Sequence, residues 1–358
     1  MPLSFTETAT DFNRSGHLGN QDSGNINPLY IDQHFGAVER SFRDESFMRA
    51  WLNVRPVRGT DTLTNPRMGR VALQKLRRGV RAEDTSPSYD NISIKVDTII
   101  IARTVEFVLE EFQASYQTRT EIGMEQGEEL GQFFDEACIA QSVKACQVTT
   151  IDPEGNVDGG WEGHTPANIL RTAPEGHRGG TIVVLGGAND HKDPDLLAAA
   201  MRSVTTGLKK KSVKPKECVW LISHDTHEVL MENENLIHKD LNHVVNGSYA
   251  MAEVDRVAGI MLYPNNYMPE EVHVRGTNDH FLSNAGNNWA YNNTTNDTLC
   301  VAVLIHPKGL LAGETIPTTT KVWFDDKDKQ WYIDAWQSFA VTPNRAEVAG
   351  GVFQSTVS

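Results

Sequence analysis

The chain has 358 residues and a formal net charge of −14, with 39% hydrophobic and 22% charged residues. That is enough for one large domain or two ordinary ones, folded and soluble rather than fibrous or disordered. The net acidity disfavours non-specific adhesion to DNA or to an anionic membrane, and no apolar run approaches the ~18 residues needed to span a bilayer.

Residues 1–34 form a polar arm rich in Asn, Gly, Ser and Thr, with Phe5, Phe12 and Tyr30 as its aromatics and no secretory leader at its start. Alone it cannot bury enough apolar area to offset its ordering entropy, so it is expected to dock on its own body or on a neighbour. Residues 35–52 read as a short helix and turn, with Phe35, Val38, Phe42 and Phe47 on the apolar face. Residues 53–91 read as a long hairpin-like loop. Between Arg55 and Arg81, the basic residues Arg55, Arg58, Arg67, Arg70, Lys75, Arg77, Arg78 and Arg81 accompany a single acid, Asp61, and Val71, Leu73 and Leu76 hint at strand alternation. A loop over ~15 residues inside a compact domain is commonly functional.

Two β-type runs follow, Ile92–Ile101 and Val105–Phe112, the first alternating apolar and polar as a half-buried strand does. From Thr118 to about Gln147 the period becomes helical: Ile122, Leu130, Phe133, Phe134, Ala137, Ile139, Ala140 and Val143 make a stripe. Glu121, Glu125, Glu128 and Glu129 lie in the N-terminal half and Lys144 near the end, which complements the helix dipole. Gly123, Gly127 and Gly131 cost roughly 1 kcal/mol each relative to Ala, and their spacing of four invites a close backbone contact along one face.

Residues 148–180 are irregular. An α/β pattern then begins: a strand at Thr181–Leu185, a helix from Pro194 to about Lys211 with Leu197, Ala200, Met201, Val204 and Leu208 inward, and a strand at Glu217–Ser223. A short helix from Asp225 to about Asn233, one strand at Val254–Tyr263, an Asn-rich loop over Asn265–Asp297 and a buried strand at Leu299–Ile305 complete it. Lys321–Phe324 and Trp331–Val341 pair as a hairpin around the turn Asp325–Lys329, and the tail to Ser358 is small and polar. No internal repeat of 20 to 50 residues is visible.

Signals for chemistry are thin. His224 and His227 stand three apart, so they can share a helical face and hold a metal, but the zinc-protease pattern spaces them by four. The simpler reading is a helix start capped by His224 or Asp225. Gly186-Gly187 follows a strand as phosphate loops do, without the Walker lysine or the third glycine of the dinucleotide fingerprint. Cys138, Cys146, Cys218 and Cys300 lack paired short spacings, which fits reduced, buried thiols rather than a zinc site or disulfide framework. No catalytic residue, cofactor or metal is assigned. The basic loop has three readings: a solvated loop, a nucleic-acid grip lacking regularly interleaved aromatics, or a clasp onto an acidic surface of another copy. The clasp is favoured, because the acidic helix supplies a partner surface within the same sequence.

Five parts follow one another: the arm Met1–His34; the loop 53–91; the β run Val105–Gln113 entering the helix Tyr116–Gln147; the helix Pro194–Lys211, strand Cys218–Ser223, helix after His224 and strand ending Gly259–Pro264; and a late return near Thr319–Val341. In that order they resemble the major capsid proteins of tailed bacteriophages, most similar to those of short-tailed, T-seven-like podoviruses. The Asn265–Asp297 segment and the chain after Pro343 depart from that pattern.

The resemblance implies an α+β, Hong Kong 97-type capsid fold. Its parts would be an N-terminal arm (1–34), a short helix and turn (35–52), an extended E-loop (53–91), peripheral-domain strands and spine helix (92–147), an axial domain (148–305), and a return to the peripheral domain with a C-terminal tail (306–358). It implies a non-enzymatic head protein that assembles in the host bacterial cytoplasm into hexamers and pentamers of an icosahedral virion shell. Double-stranded DNA would be enclosed without sequence-specific contact. Scaffolding and portal proteins, and a decoration protein, would be further partners, with no membrane contact. Lys75 is the sole lysine of the loop, and no covalent cross-link is expected from it. The subunit interface is expected to set Arg58, Arg67, Arg70, Arg77 and Arg78 against Glu121, Glu125 and Glu128 of a neighbour. Two alternatives are a metal- or nucleotide-dependent enzyme on the α/β half and an encapsulin-type compartment shell.

Overall fold

The computed structural model describes residues 47–68, 75–76, 78–79, 81, 89–108, 118–148, 150–151, 157–158, 178–187, 189–233 and 254–355. The N-terminal arm therefore lies outside the described residues, as do residues 35–46. In chain order the elements are α1 (Met48–Trp51), β1 (Val54–Pro56), β2 (Thr62–Met68), β3 (Tyr89–Lys95), β4 (Ile100–Phe107), α2 (Thr118–Gln147), β5 (Thr150–Ile151) and β6 (Val157–Asp158). After these come β7 (Thr181–Val184), α3 (Pro194–Lys210), β8 (Val219–Ser223), α4 (His224–Met231), β9 (Arg256–Val257), β10 (Ile260–Asn265), β11 (Cys300–Ile305), β12 (Leu310–Asp325), β13 (Gln330–Pro343) and β14 (Ala349–Phe353). The chain divides into two compact units. The larger comprises Asp44–Ile100, Gly131–Pro317 and Gln337–Ser358; the smaller includes Ile101–Leu130 and Thr318–Trp336.

The centre of the larger unit is a six-stranded sheet of order β7-β14-β11-β8-β10-β9. Its inner strands are continuous apolar runs, as strands buried on both faces require: every residue of β11 and Val219–Ile222 of β8 is buried. Helix α3 covers one side with the predicted residues, Leu197, Ala200, Met201, Val204 and Leu208, packed with Trp220, Ile222, Leu304 and Val352. Its start is fixed by Pro194 in the first turn and by Asp193, whose carboxylate accepts from Asp195 N (2.9 Å) and Leu196 N (3.2 Å).

The polar-looking tail is a structural strand. Ala349–Phe353 lies wholly buried between β7 and β11, parallel to the first and antiparallel to the second. Its glycines are there for proximity: a Cβ on Gly350 would lie 2.5 Å from Val204 Cγ1, and one on Gly351 2.6 Å from Phe353 Cε2. The single strand expected over Val254–Tyr263 is instead the hairpin β9–β10. Ala258 (φ +54°) and Gly259 (φ +84°) turn it, the positive-φ pair that tight hairpins use.

Helix α2 has the predicted bounds but not the predicted character. From Phe134 to Gln147 almost every position is buried, polar ones included, so this half is a central helix rather than a one-faced surface helix. Lys144 is 1% exposed and does not act as a solvated dipole partner; its Nζ donates to Ala290 O and Asn292 O at 2.5 Å each. Burial lowers its pKa to about 8, against a smaller opposing pull from Asp297. Gln147 Nε2 donates to Asp297 Oδ1 (2.7 Å) and Gln141 Nε2 to Ala290 O (2.9 Å), so polar side chains of the helix fasten the Asn-rich segment. Asp135, also buried, accepts from Phe47 N and Met48 N and so satisfies the open N-terminus of α1. No close backbone approach exists at Gly123 or Gly127, where an added Cβ meets nothing within 4 Å among the described residues.

A second sheet has the order β1-β12-β13-β4, with Val54–Pro56 parallel to Ala312–Glu314. In the smaller unit, Gln126 Nε2 of α2 donates to Thr104 Oγ1 (2.8 Å) and Ile333 O (3.0 Å). The long run expected over Ile92–Ile101 is broken: β3 ends at Lys95 and β4 starts at Ile100, with Val96 N donating to Asp61 O between them.

Candidate subunit interface

The basic loop is a real hairpin at its base. Strands β2 and β3 pair antiparallel from Thr62↔Lys95 to Met68↔Tyr89, so the return strand continues past Asn91. Pro66 sits in β2 without loss because a two-stranded ribbon leaves edge positions with no ladder donor to supply. One face closes a small core of Val57, Ile92, Ile94, Val96, Leu311 and Ala340, with Leu63 at its side. The other end has no such cover among the described residues: Met68, Leu76 and Tyr89 are 57%, 70% and 76% exposed. Three large apolar side chains thus stand exposed on one basic projection.

The predicted cations separate into three groups. Arg58 and Arg78 are exposed. Arg67 is buried and donates to Asn344 O of its own chain, which makes it a fastener of the loop base. Arg70 and Arg77 lie outside the described residues. Of the predicted acids on α2, Glu128 is exposed while Glu121 and Glu125 are half-buried. Two basic residues that the pattern did not single out as interface residues, Arg55 and Arg345, flank the same loop base; Arg55 Nη1 donates to Asn65 Oδ1 (3.2 Å), and Asn65 Nδ2 to Asn344 Oδ1 (3.0 Å).

The smaller unit carries a second partly exposed apolar strip. Along β4 the even residues Ile100 to Glu106 turn inward, and Ile101, Val105 and Phe107 are 51%, 40% and 52% exposed on the other face. Arg103 on that face is held flat. It makes a two-point contact with Asp334 (Nε–Oδ1 2.8 Å, Nη2–Oδ2 2.6 Å) and lies over Trp323 and Tyr332, which stack at 5.1 Å. The hydrogen bond to Asp334 raises its pKa above the usual guanidinium value.

The residues with a chemical reading are placed in structural roles. Ser223, not His224 or Asp225, caps α4, its Oγ accepting from Thr226 N (3.2 Å). Among the described residues no group of three or more His, Cys, Asp or Glu is arranged to hold a metal. Gly187 N donates to Asp190 Oδ2 (2.7 Å), so the turn after β7 already holds a carboxylate where a phosphate loop would offer a free donor. All four cysteines are buried and free, and burial, reinforced by Glu217, pushes the Cys218 thiol up to about 12, away from nucleophilic use.

No protein-family model and no curated protein matches the sequence. Solved structures do match it in shape. The mature capsid of bacteriophage PhiM1 is 20% identical, with a TM-score of 0.67 over 90% of this chain and 91% of that chain. The capsid of cyanophage P-SCSP1u is 16% identical, with a TM-score of 0.72 over 90% and 92%. A chain of Mycobacterium phage Che8 is 11% identical, with a TM-score of 0.57 over 88% and 94%. The fold is thus the α+β, Hong Kong 97-type fold of phage capsids.

Proposed function

We propose that this chain is the major capsid protein of a tailed double-stranded DNA bacteriophage of the short-tailed, T-seven-like kind, and that its copies assemble as hexamers and pentamers of an icosahedral head. What carries the reading is one combination: a capsid fold matched over 90% of the chain, bearing a basic hairpin whose Met68, Leu76 and Tyr89 have no cover among the described residues. A closed shell asks the same chain to sit in slightly different surroundings, which rigid bodies joined by adaptable projections can do. Here the rigid body is the six-stranded sheet with α3 and the Gly131–Gln147 part of α2, and the projection is the β2–β3 hairpin.

In this reading the exposed Arg58 and Arg78, with Arg70 and Arg77, meet Glu128 and its neighbours Glu121 and Glu125 on another copy. Each exposed pair contributes only ~0–1 kcal/mol, so repetition gives register and avidity rather than strength. Arg67 leaves this set because its own chain engages it. Scaffolding, portal and decoration proteins are the further partners, and assembly takes place in the host bacterial cytoplasm before the protein resides in the virion. The test is sedimentation and negative-stain imaging of the full chain with and without Arg77→Glu and Arg78→Glu. Rings, sheets or closed shells from the parent, and folded unassembled subunits from the double variant, are expected. A parent that stays monomeric at every concentration overturns the shell reading, and normal particles from the double variant overturn the clasp. DNA rather than a cargo enzyme inside virion-derived particles separates a phage head from a compartment shell.

A further inference from the structure

The β12–β13 hairpin carries opposite charge at its two ends. At the open end, beside Leu310 and Asn344, lies a cleft of about 340 Å³ whose polar lining includes Arg55, Arg67, Lys308, Arg345, Asn65 and Asn344, with no carboxylate among the lining residues. Arg67 and Asn344 are buried at its floor, while Arg55, Lys308 and Arg345 are exposed at its rim. The floor is set in advance by the Arg67–Asn344 and Asn65–Asn344 hydrogen bonds. Glu347 lies 3.6 Å from Arg345 outside the cleft, and Arg345 keeps half of its side chain exposed. At the closed end the turn is shaped by Asp325, which accepts from Lys327 N through its side chain and from Lys329 N through its carbonyl, 2.9 Å each. That shape pushes Asp326 and Asp328 outward; the Asp326 side chain is 90% exposed and 3.6 Å from Lys329, itself exposed.

We infer that the cleft is a carboxylate-binding site and that its occupant is the Asp326–Asp328 turn of a second copy of this chain. The inference rests on the shell reading and supplies one of its contacts. Guanidinium groups present paired donors that match a carboxylate fork, and this cleft holds three arginines and a lysine. Its volume is at the small end of ligand pockets, room for the side chains of a convex turn but not for a helix ~10 Å across, which removes α2 as the guest. A duplex is read by a broad basic stripe rather than by a narrow cleft, and the chain as a whole is acidic. One end of a hairpin entering the other end of the next is a head-to-tail contact, which closes into rings when the rotation allows.

The experiment is a charge swap in the full chain, read as the fraction of protein in particles by sedimentation, with circular dichroism to confirm folding. Lys308→Glu with Arg345→Glu, and separately Asp326→Lys with Asp328→Lys, should each reduce particles at least about tenfold while leaving folded subunits. Combining all four should recover most of that loss. Lys308→Gln with Arg345→Gln, a milder pair, should weaken assembly more at low than at high salt, and keeps the test decisive if a reversed charge misfolds. Normal particle yield from either pair, or a four-fold swap no better than its halves, overturns the proposal. So does a cleft variant that assembles normally and loses only bound nucleic acid, since that would make the cleft a phosphate site. A parent chain that forms no particles removes the shell reading instead.

Discussion

The six-stranded sheet and the β2–β3 hairpin belong to the same unit of the chain and treat apolar side chains in opposite ways. In the sheet, Trp220, Ile222 and Leu304 are buried with residues of α3, and Leu221, Val303 and Ile305 with residues of α2. On the hairpin, Met68, Leu76 and Tyr89 stay more than half exposed. A region that completes its own core gains stability from folding alone. A region that leaves apolar and cationic groups uncovered gains it only when another surface arrives. The difference separates what keeps the subunit folded from what makes it associate.

The largest effect is expected from damage to the closed region. Trp220→Ala empties a fully buried indole site and should cost about 3–5 kcal/mol in chemical denaturation, enough to leave little folded subunit. Asp135→Ala comes next. It strands the Phe47 and Met48 amides and should cost ~1–3 kcal/mol, with protection lost first around α1 in hydrogen exchange.

Acid probes the same closed body. His280 is buried against Phe133 and Tyr291, with ring centroids at 5.1 and 5.4 Å, and burial, with His273 and Lys144 nearby, lowers its pKa to about 3. The unfolded chain takes that proton near 6.5, so between these values the unfolded state binds more protons. The contribution is therefore complete above about pH 6.5 and is lost as pH falls toward 3. His280→Gln should flatten the dependence of the unfolding midpoint over that window.

The smallest effect on the subunit is expected on the hairpin. Met68→Ser with Tyr89→Ser should change subunit stability by less than about 0.5 kcal/mol per site and still lower particle yield by sedimentation. If those substitutions unfold the subunit as Trp220→Ala does, the distinction between closed and open regions fails.

How much of this was legible in the sequence depends on whether a residue's role is local. The α3 face, the bounds of α2 and the β12–β13 turn follow from period and turn chemistry, and all three are where those signals put them. Lys144 misled because a lysine near a helix end has a local reading as a dipole partner, while the carbonyls that hold it, from Ala290 and Asn292, are far away in sequence. The Gly350-Gly351 pair reads as part of a small, polar tail until Val204 and Phe353 are seen crowding it. Arg67 was indistinguishable in a run of arginines, since only the folded chain brings Asn344 to it. The basic cleft is assembled from three separate stretches, residues 53–67, 307–311 and 344–345, so no window of sequence contained it.

The most direct measurement is hydrogen exchange on assembled particles and on unassembled subunits of the full chain, comparing peptides from β2 and β3 with those from β8 and β11. Thr62–Met68 and Tyr89–Lys95 should gain strong protection on assembly while Val219–Ser223 and Cys300–Ile305, already protected, do not change. Equal protection of the hairpin in the lone subunit would contradict this.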